Sequence, residues 1–274
     1  MMSNLRNVII TGIPRSGTTL LAALIDSIPN AVALNEPDWQ SRSLFNNNTV
    51  SGKDFAEWLV SDFLEIRQKL LAAIPIPERR GKKGEAVTNY YDRNGGEVRN
   101  KFDIVSFTKT GLTPDFMLAV KQVGPYLGIL EQLVQQNYFQ IIAIVRQPVA
   151  VISSWRSLTI PPNRGQLPGA VHWAEMQALT YSNLPLLEKQ VKMYELMCQR
   201  LYKLRNDMIV LRHEDLLQSP LLLAQTMKLP ESAIYDTSLI SSEASYHANE
   251  DSTPIRQALE RYGDYLFRFY PKLM

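Results

Sequence analysis

The sequence predicts an α/β fold of three layers, a central parallel sheet of about five strands between two layers of helices. Three observations carry that prediction. Five short apolar runs, at residues 8–10, 31–34, 116–120, 141–145 and 208–211, alternate with longer stretches of helical character. The run from Ile141 to Val145 is continuous rather than alternating, the pattern of a strand covered on both faces. A glycine-bounded loop, Gly12 to Gly17, joins the first run to the first helix. A chain of 274 residues can bury a substantial core, and a single domain spanning residues 1–274 is expected.

The first strand, Val8 to Ile10, is β-branched and stops at Gly12 and Pro14, and the apolar run from Leu20 to Ile25 suits a buried helix. The loop between them is built to hold an anion. Gly12 and Gly17 permit backbone angles closed to other residues, so in the turn begun by Pro14 the N–H groups of Arg15, Ser16, Gly17, Thr18 and Thr19 can converge on a phosphate at the helix's positive end. Two glycines separated by four residues match the start of a P-loop, which makes the expected domain P-loop NTPase-like. The lysine that follows in nucleoside-triphosphate enzymes is replaced by Thr18. The cation is instead Arg15, inside the loop, where a guanidinium could reach the bridging oxygen of a bound phosphoric anhydride.

Pro29 and Asn30 mark a turn, and Ala31 to Leu34 form the second strand, which delivers Asn35, Glu36, Pro37, Asp38 and Trp39 to the sheet edge where ligands sit in open α/β folds. Glu36 reads either as a proton acceptor or as a solvated loop acid. Lys53 to Ile74 form one long amphipathic helix ended near Pro75. Residues 77–109 contain the basic run Arg79, Arg80, Lys82 and Lys83 and the pair Gly95–Gly96, the composition of a surface excursion. It is either a lid or acceptor-binding element or a solvated insertion. Phe116 to Val120 present Lys121 at the end of the third strand, and Pro125 to Gln136 form a crossover helix.

The strand Ile141 to Val145 ends in Arg146, Gln147 and Pro148, and the proline starts the next helix. Arg146 and Ser154 stand eight residues apart, one at the strand end and one about two turns into that helix. Ser153 and Arg156 are adjacent candidates. Residues 157–169 form a loop, and Val171 to Arg205 a helical region interrupted around Pro185. His172 near its start is structural or an alternative base. After the strand Met208 to Leu211, the acids of LRHEDLL are expected to cap the next helix and to pair with Arg212. Helices follow at Leu221 to Met227 and Pro254 to Phe269. His247, Ser252 and Arg256 are unassigned late candidates.

The stretch GIPRSGTT, residues 12–19, resembles the 5′-phosphosulfate loop of sulfotransferases that use 3′-phosphoadenosine 5′-phosphosulfate. Its arginine form, followed by a leucine-rich helix, is most similar to the tyrosylprotein and bacterial branch. Arg146 with Ser154 resembles the second signature of that family, which binds the 3′-phosphate. The resemblance implies sulfonate transfer to a hydroxyl or amine of a small-molecule acceptor, leaving adenosine 3′,5′-bisphosphate. Arg15, Thr18 and Thr19 would then hold the 5′-phosphosulfate, Glu36 would take the acceptor's proton, and Lys121 would lie near the transferring sulfonate. The branch has Lys, any residue, Pro at that edge, whereas here Pro125 lies four residues after Lys121. LRHEDLL resembles a late stretch of the family that usually has tyrosine in place of His213.

Composition narrows the alternatives. With 29 basic against 27 acidic residues the chain lacks the concentrated basic stripe of a nucleic-acid binder. The single cysteine, Cys198, excludes an intrachain disulfide and suits a reducing compartment. No stretch approaches a membrane span in length, and the first residues lack the pattern of a secretion signal, so a cytoplasmic protein without membrane partners is expected. No two histidines have metal-ligand spacing, and no metal is expected. A P-loop small-molecule kinase would need a lysine after Gly17 and an acid for magnesium. A non-catalytic nucleotide-binding protein would keep the cradle alone.

Overall fold

Strand β1 (Asn7–Gly12) is wholly buried because its side chains feed two cores. Ile9 packs into one apolar cluster, while Val8 and Ile10 pack into a second on the opposite face. The computed structural model describes residues 6–46, 51–94, 97–230, 233–240 and 252–271. Along the chain, β1 is followed by α1 (Thr18–Asp26), β2 (Ala31–Asn35), α2 (Asp38–Asn46), α3 (Gly52–Leu71) and β3 (Ile76–Arg80). Next come β4 (Tyr91–Asn94), β5 (Glu97–Asn100), β6 (Asp103–Phe107), β7 (Met117–Lys121), α4 (Gly124–Gly128), α5 (Leu130–Gln136) and β8 (Gln140–Val145). The chain continues through α6 (Pro148–Arg156), α7 (Ala174–Thr180), α8 (Leu186–Lys203), β9 (Ile209–Arg212), α9 (His213–Gln218), α10 (Leu222–Met227), α11 (Thr253–Tyr262) and α12 (Leu266–Phe269).

The central sheet has five strands in the order β2-β7-β1-β8-β9, every pair parallel. This is the three-layer architecture that the alternation of apolar runs predicts. Helix α1 covers one face, in the cluster that also holds Leu216 and Leu223; α3, α5 and α8 contribute to the cluster on the other. Ser51 starts α3 through a capping box, its hydroxyl accepting from the N–H of Asp54 while the Asp54 side chain accepts from the N–H of Ser51. Such a cap is worth about 0.5–2 kcal/mol. The turn from α1 into β2 is closed by Lys109, whose ammonium donates to the carbonyls of Asp26, Ile28 and Ala31 at 2.7–3.0 Å.

Several elements differ from the sequence expectation. Residues 77–109 are not one irregular loop: β3 pairs antiparallel with β6, and β4 with β5. Nor is the basic run uniformly solvated. Arg80 is 3% exposed, lies over the ring of Phe107 and pairs with Asp26 at 2.6 Å. The crossover expected from Pro125 to Gln136 breaks at Ile129 into α4 and α5. Backbone of residues 168–170 approaches Gly124 and Gly128 so closely that a Cβ has no room at either. The region from Val171 divides into α7 and α8, with Pro185 as the residue before α8, and the last helix breaks at Gly263 into α11 and α12. Helix α2, with its polar QSRS centre, carries no clear apolar stripe and was absent from the expected elements.

Candidate functional site

The glycine loop is tied down from three sides. Gly12 has φ +138°, and a Cβ there would stand 2.2 Å from the carbonyl oxygen of Ile144 on β8. The loop then turns on itself, with the N–H of Ser16 donating to the carbonyl of Ile13 at 3.0 Å. The indole of Trp155 donates to the carbonyl of Pro14 at 2.9 Å, and Arg146 Nη1 to that of Arg15 at 3.4 Å. Arg15 has φ +72° and Gly17 φ +98°, so backbone angles that L side chains rarely adopt fall on both sides of Ser16. At Gly17 a Cβ would meet Nδ1 of His213 at 2.5 Å. Thr18 opens α1 immediately afterwards, which directs the positive end of that helix at the loop.

This loop suits an anion. The Ser16 hydroxyl is buried with no hydrogen-bond partner. The Arg15 guanidinium lies 5.4 Å from the ring of Tyr91 and donates from Nε to Ser154 Oγ at 3.2 Å and from Nη1 to Asn89 Oδ1 at 3.1 Å. Ser154 lies on α6 and Arg146 at the end of β8, so the two sequence motifs meet: Arg15 contacts Ser154, and Arg146 contacts the backbone of Arg15. His213 is buried beneath the loop. Burial, reinforced by the charge of Arg146, pushes its imidazole down to about 4, so it is neutral near pH 7.

A second group of charges lies at the ends of β2 and β7. Asn35 and Lys121 are register partners, and the N–H of Glu36 donates to the carbonyl of Lys121 at 2.8 Å, with Glu36 itself at φ +48°. One carboxylate oxygen of Glu36 accepts from Lys121 Nζ at 2.6 Å, the other from Arg79 Nη1 at 2.8 Å. Arg79 also donates to Asp38 at 2.6 Å. Glu36 is therefore an anchored acid and not a solvated one. Lys121 is 2% exposed; its Nζ lies 4.3 Å from the centre of the Tyr90 ring and 3.3 Å from Thr19 Oγ1. Burial lowers its pKa, opposed by Glu36. Beside this cluster opens a cleft of about 210 Å³ lined by Glu36, Asp38, Trp39, Arg42, Arg79 and Ile104 among others.

The structure thus brings Arg15 together with Ser154, and Glu36 together with Lys121 and Thr19. Other candidates lie elsewhere. Arg156 turns to Gln190 on α8, His172 packs against Gly52 at the start of α3, and Arg256 contacts Ser252 at the start of α11. His247 lies outside the described residues. Sequence reasoning missed Arg79, Asn89, Tyr90 and Tyr91, all in the 77–109 segment, where only the run of charges was visible. It also expected both acids of LRHEDLL to serve the next helix and Arg212. Asp215 pairs with Arg212, whereas Glu214 accepts from the backbone N–H of Gln147 at 2.9 Å and from the Tyr270 hydroxyl at 2.8 Å.

Among the described residues, no three His, Cys, Asp or Glu side chains are grouped to hold a metal ion, and no helix is long and apolar enough to cross a membrane. The chain resembles two solved bacterial structures at 13% identity. One is a sulfotransferase from Alicyclobacillus acidocaldarius, with 94% of each chain covered and a TM-score of 0.45. The other is a sulfotransferase from Mycobacterium tuberculosis H37Rv, with 94% of this chain and 76% of that chain covered and a TM-score of 0.42. No curated protein matches the chain. The sulfotransferase domain matches residues 5–227, which carry the glycine loop, the Glu36–Lys121 pair, Arg146 and Ser154, and the chain belongs to that family.

Proposed function

We propose that the chain transfers a sulfonyl group from 3′-phosphoadenosine 5′-phosphosulfate to a hydroxyl or amine of a small-molecule acceptor, in the cytoplasm and as a single domain. The observation that carries this reading is the convergence on Thr19 of two arrangements. The cationic glycine loop runs into it, and Lys121 bridges from it to the carboxylate of Glu36. Phosphosulfate supplies a sulfonyl group already joined to a phosphate leaving group.

Arg15, Thr18, Thr19 and the loop N–H groups hold the 5′ end and stabilise the negative charge that grows on the leaving phosphate. Arg146 and Ser154 bind the 3′-phosphate. Glu36 accepts the acceptor's proton as the new bond to sulfur forms. Each of its oxygens accepts from one cation and keeps a second lone pair with which to take the proton. Lys121 Nζ also donates to the Thr19 hydroxyl at 3.3 Å, which ties the base to the end of the glycine loop. Arg79, held by Asp38, keeps the other oxygen in place. Positioning and preorganised charge therefore supply the catalysis, without a covalent enzyme intermediate.

The test is incubation of the full chain with the ³⁵S-labelled donor and a panel of small hydroxyl and amine compounds. Label recovered in an acceptor, with release of adenosine 3′,5′-bisphosphate, supports the reading. Failure to bind either the donor or that bisphosphate contradicts it.

A further inference from the structure

The peptide group joining Arg146 to Gln147 is held at both ends by side chains from distant parts of the chain. Its oxygen accepts from the Tyr194 hydroxyl on α8, and its N–H donates to Glu214 Oε1 at 2.9 Å. The other oxygen of Glu214 accepts from the hydroxyl of Tyr270, just past α12, at 2.8 Å. A peptide plane fixed at both ends sets the direction in which the Arg146 side chain leaves the sheet. Helix α6 does not need this contact to start: Pro148 begins it, and the Gln147 side chain accepts from the N–H of Ala150 at 3.0 Å. Both oxygens of Glu214 are thus committed to orienting the turn that carries Arg146. Tyr270, which braces it, lies beyond the residues that match the family.

We propose that Glu214, braced by Tyr270, is a positioning residue for the nucleotide's 3′-phosphate, so that a residue outside the family-matched region contributes to donor selection without touching the donor. This rests on the reading of Arg146 and Ser154 as the 3′-phosphate site. Glu214 holds the Arg146 peptide plane, and Tyr270 holds the Glu214 carboxylate in the rotamer that reaches it.

The test is calorimetry of the full chain with adenosine 3′,5′-bisphosphate and with adenosine 5′-monophosphate, which differ only in the 3′-phosphate. The wild-type protein is expected to prefer the bisphosphate by about tenfold or more, the scale of charge-assisted hydrogen bonds. Glu214→Ala and Tyr270→Phe are expected to reduce that preference by about two- to tenfold, the scale of one net hydrogen bond, by weakening the bisphosphate alone. Glu214→Gln keeps an oxygen for the Gln147 N–H and should retain most of the preference. If Glu214→Ala does not fold, Tyr270→Phe, which keeps its ring, carries the test. An equal loss for both nucleotides, or no change in either variant, would overturn the positioning role alone. A wild-type protein without preference would overturn the 3′-phosphate reading and this inference with it.

Discussion

The ammonium of Lys121 stands 2.6 Å from a carboxylate oxygen of Glu36, bridging the ends of two adjacent strands, β2 and β7. Lys121 is buried and Glu36 is not fully so, and the second carboxylate oxygen is held by Arg79. A carboxylate clamped in this way is held in one orientation, and the ammonium on Oε1 also reaches the end of the glycine loop through Thr19. The pairing links the two halves of the proposed chemistry, the holding of the donor and the removal of the acceptor's proton.

Arg15 is the cation of the glycine loop, and its guanidinium already contacts Ser154. Arg15→Ala is expected to lower turnover by about 10²–10³, the scale for one preorganised charge-stabilising donor. Steady-state kinetics at saturating acceptor check this. An unchanged turnover number with only a raised Michaelis constant would assign Arg15 to uniform binding.

Gly17 combines a left-handed backbone with the absence of space for a side chain, since a Cβ would meet the His213 ring at 2.5 Å. Gly17→Ala is expected to cost about 1–3 kcal/mol from backbone strain alone, with a further steric cost, and to weaken nucleotide binding. Adding His213→Ala should recover the steric part and leave the backbone part. Thermal unfolding of the single and double variants measures both, and a single variant as stable as wild type would contradict the account.

Glu78 gives a pH signature. It is buried beside Asn35, whose N–H donates to it at 2.9 Å, and burial raises its carboxyl from 4.5 to about 8 despite that bond. Between those values the folded protein keeps a proton that the unfolded chain has lost, so this group's contribution to stability falls as pH rises through the window. The loss approaches about 1.4 kcal/mol per pH unit. Glu78→Gln retains an acceptor for Asn35 and removes the titration. The variant should therefore gain in melting temperature relative to wild type between about pH 5 and pH 8, and a difference that stays constant over that range would show that Glu78 ionises normally.

Much of this was legible because it is local. Five apolar runs gave the parallel strands, and Gly12 and Gly17 announced a loop whose angles do need glycine. Arg146 and Ser154 could be paired because an arginine at a strand end with a serine eight residues later resembles the family's second signature, which is local in sequence. Long-range partners were not legible. Arg79 reads as one charge in a basic run, and only the pairing of β3 with β6 places it against Glu36, 43 residues away. Glu214 reads as a helix-capping acid, and nothing in its neighbours reveals Gln147, 67 residues earlier. The close approach of residues 168–170 to Gly124 and Gly128, on the helix just before the break at Ile129, is a tertiary contact that helical periodicity does not encode.

Glu36 is assigned the removal of the acceptor's proton, in a site whose glycine loop holds the donor and stabilises its leaving phosphate. The most direct measurement is the rate of ³⁵S-sulfonate transfer to a hydroxyl acceptor by Glu36→Gln and by wild type at saturating donor, with adenosine 3′,5′-bisphosphate affinity measured alongside. The account predicts a rate lower by about 10²–10⁴, the usual range for a positioned proton acceptor, at nearly unchanged nucleotide affinity. Full activity of the variant on a hydroxyl acceptor would contradict it.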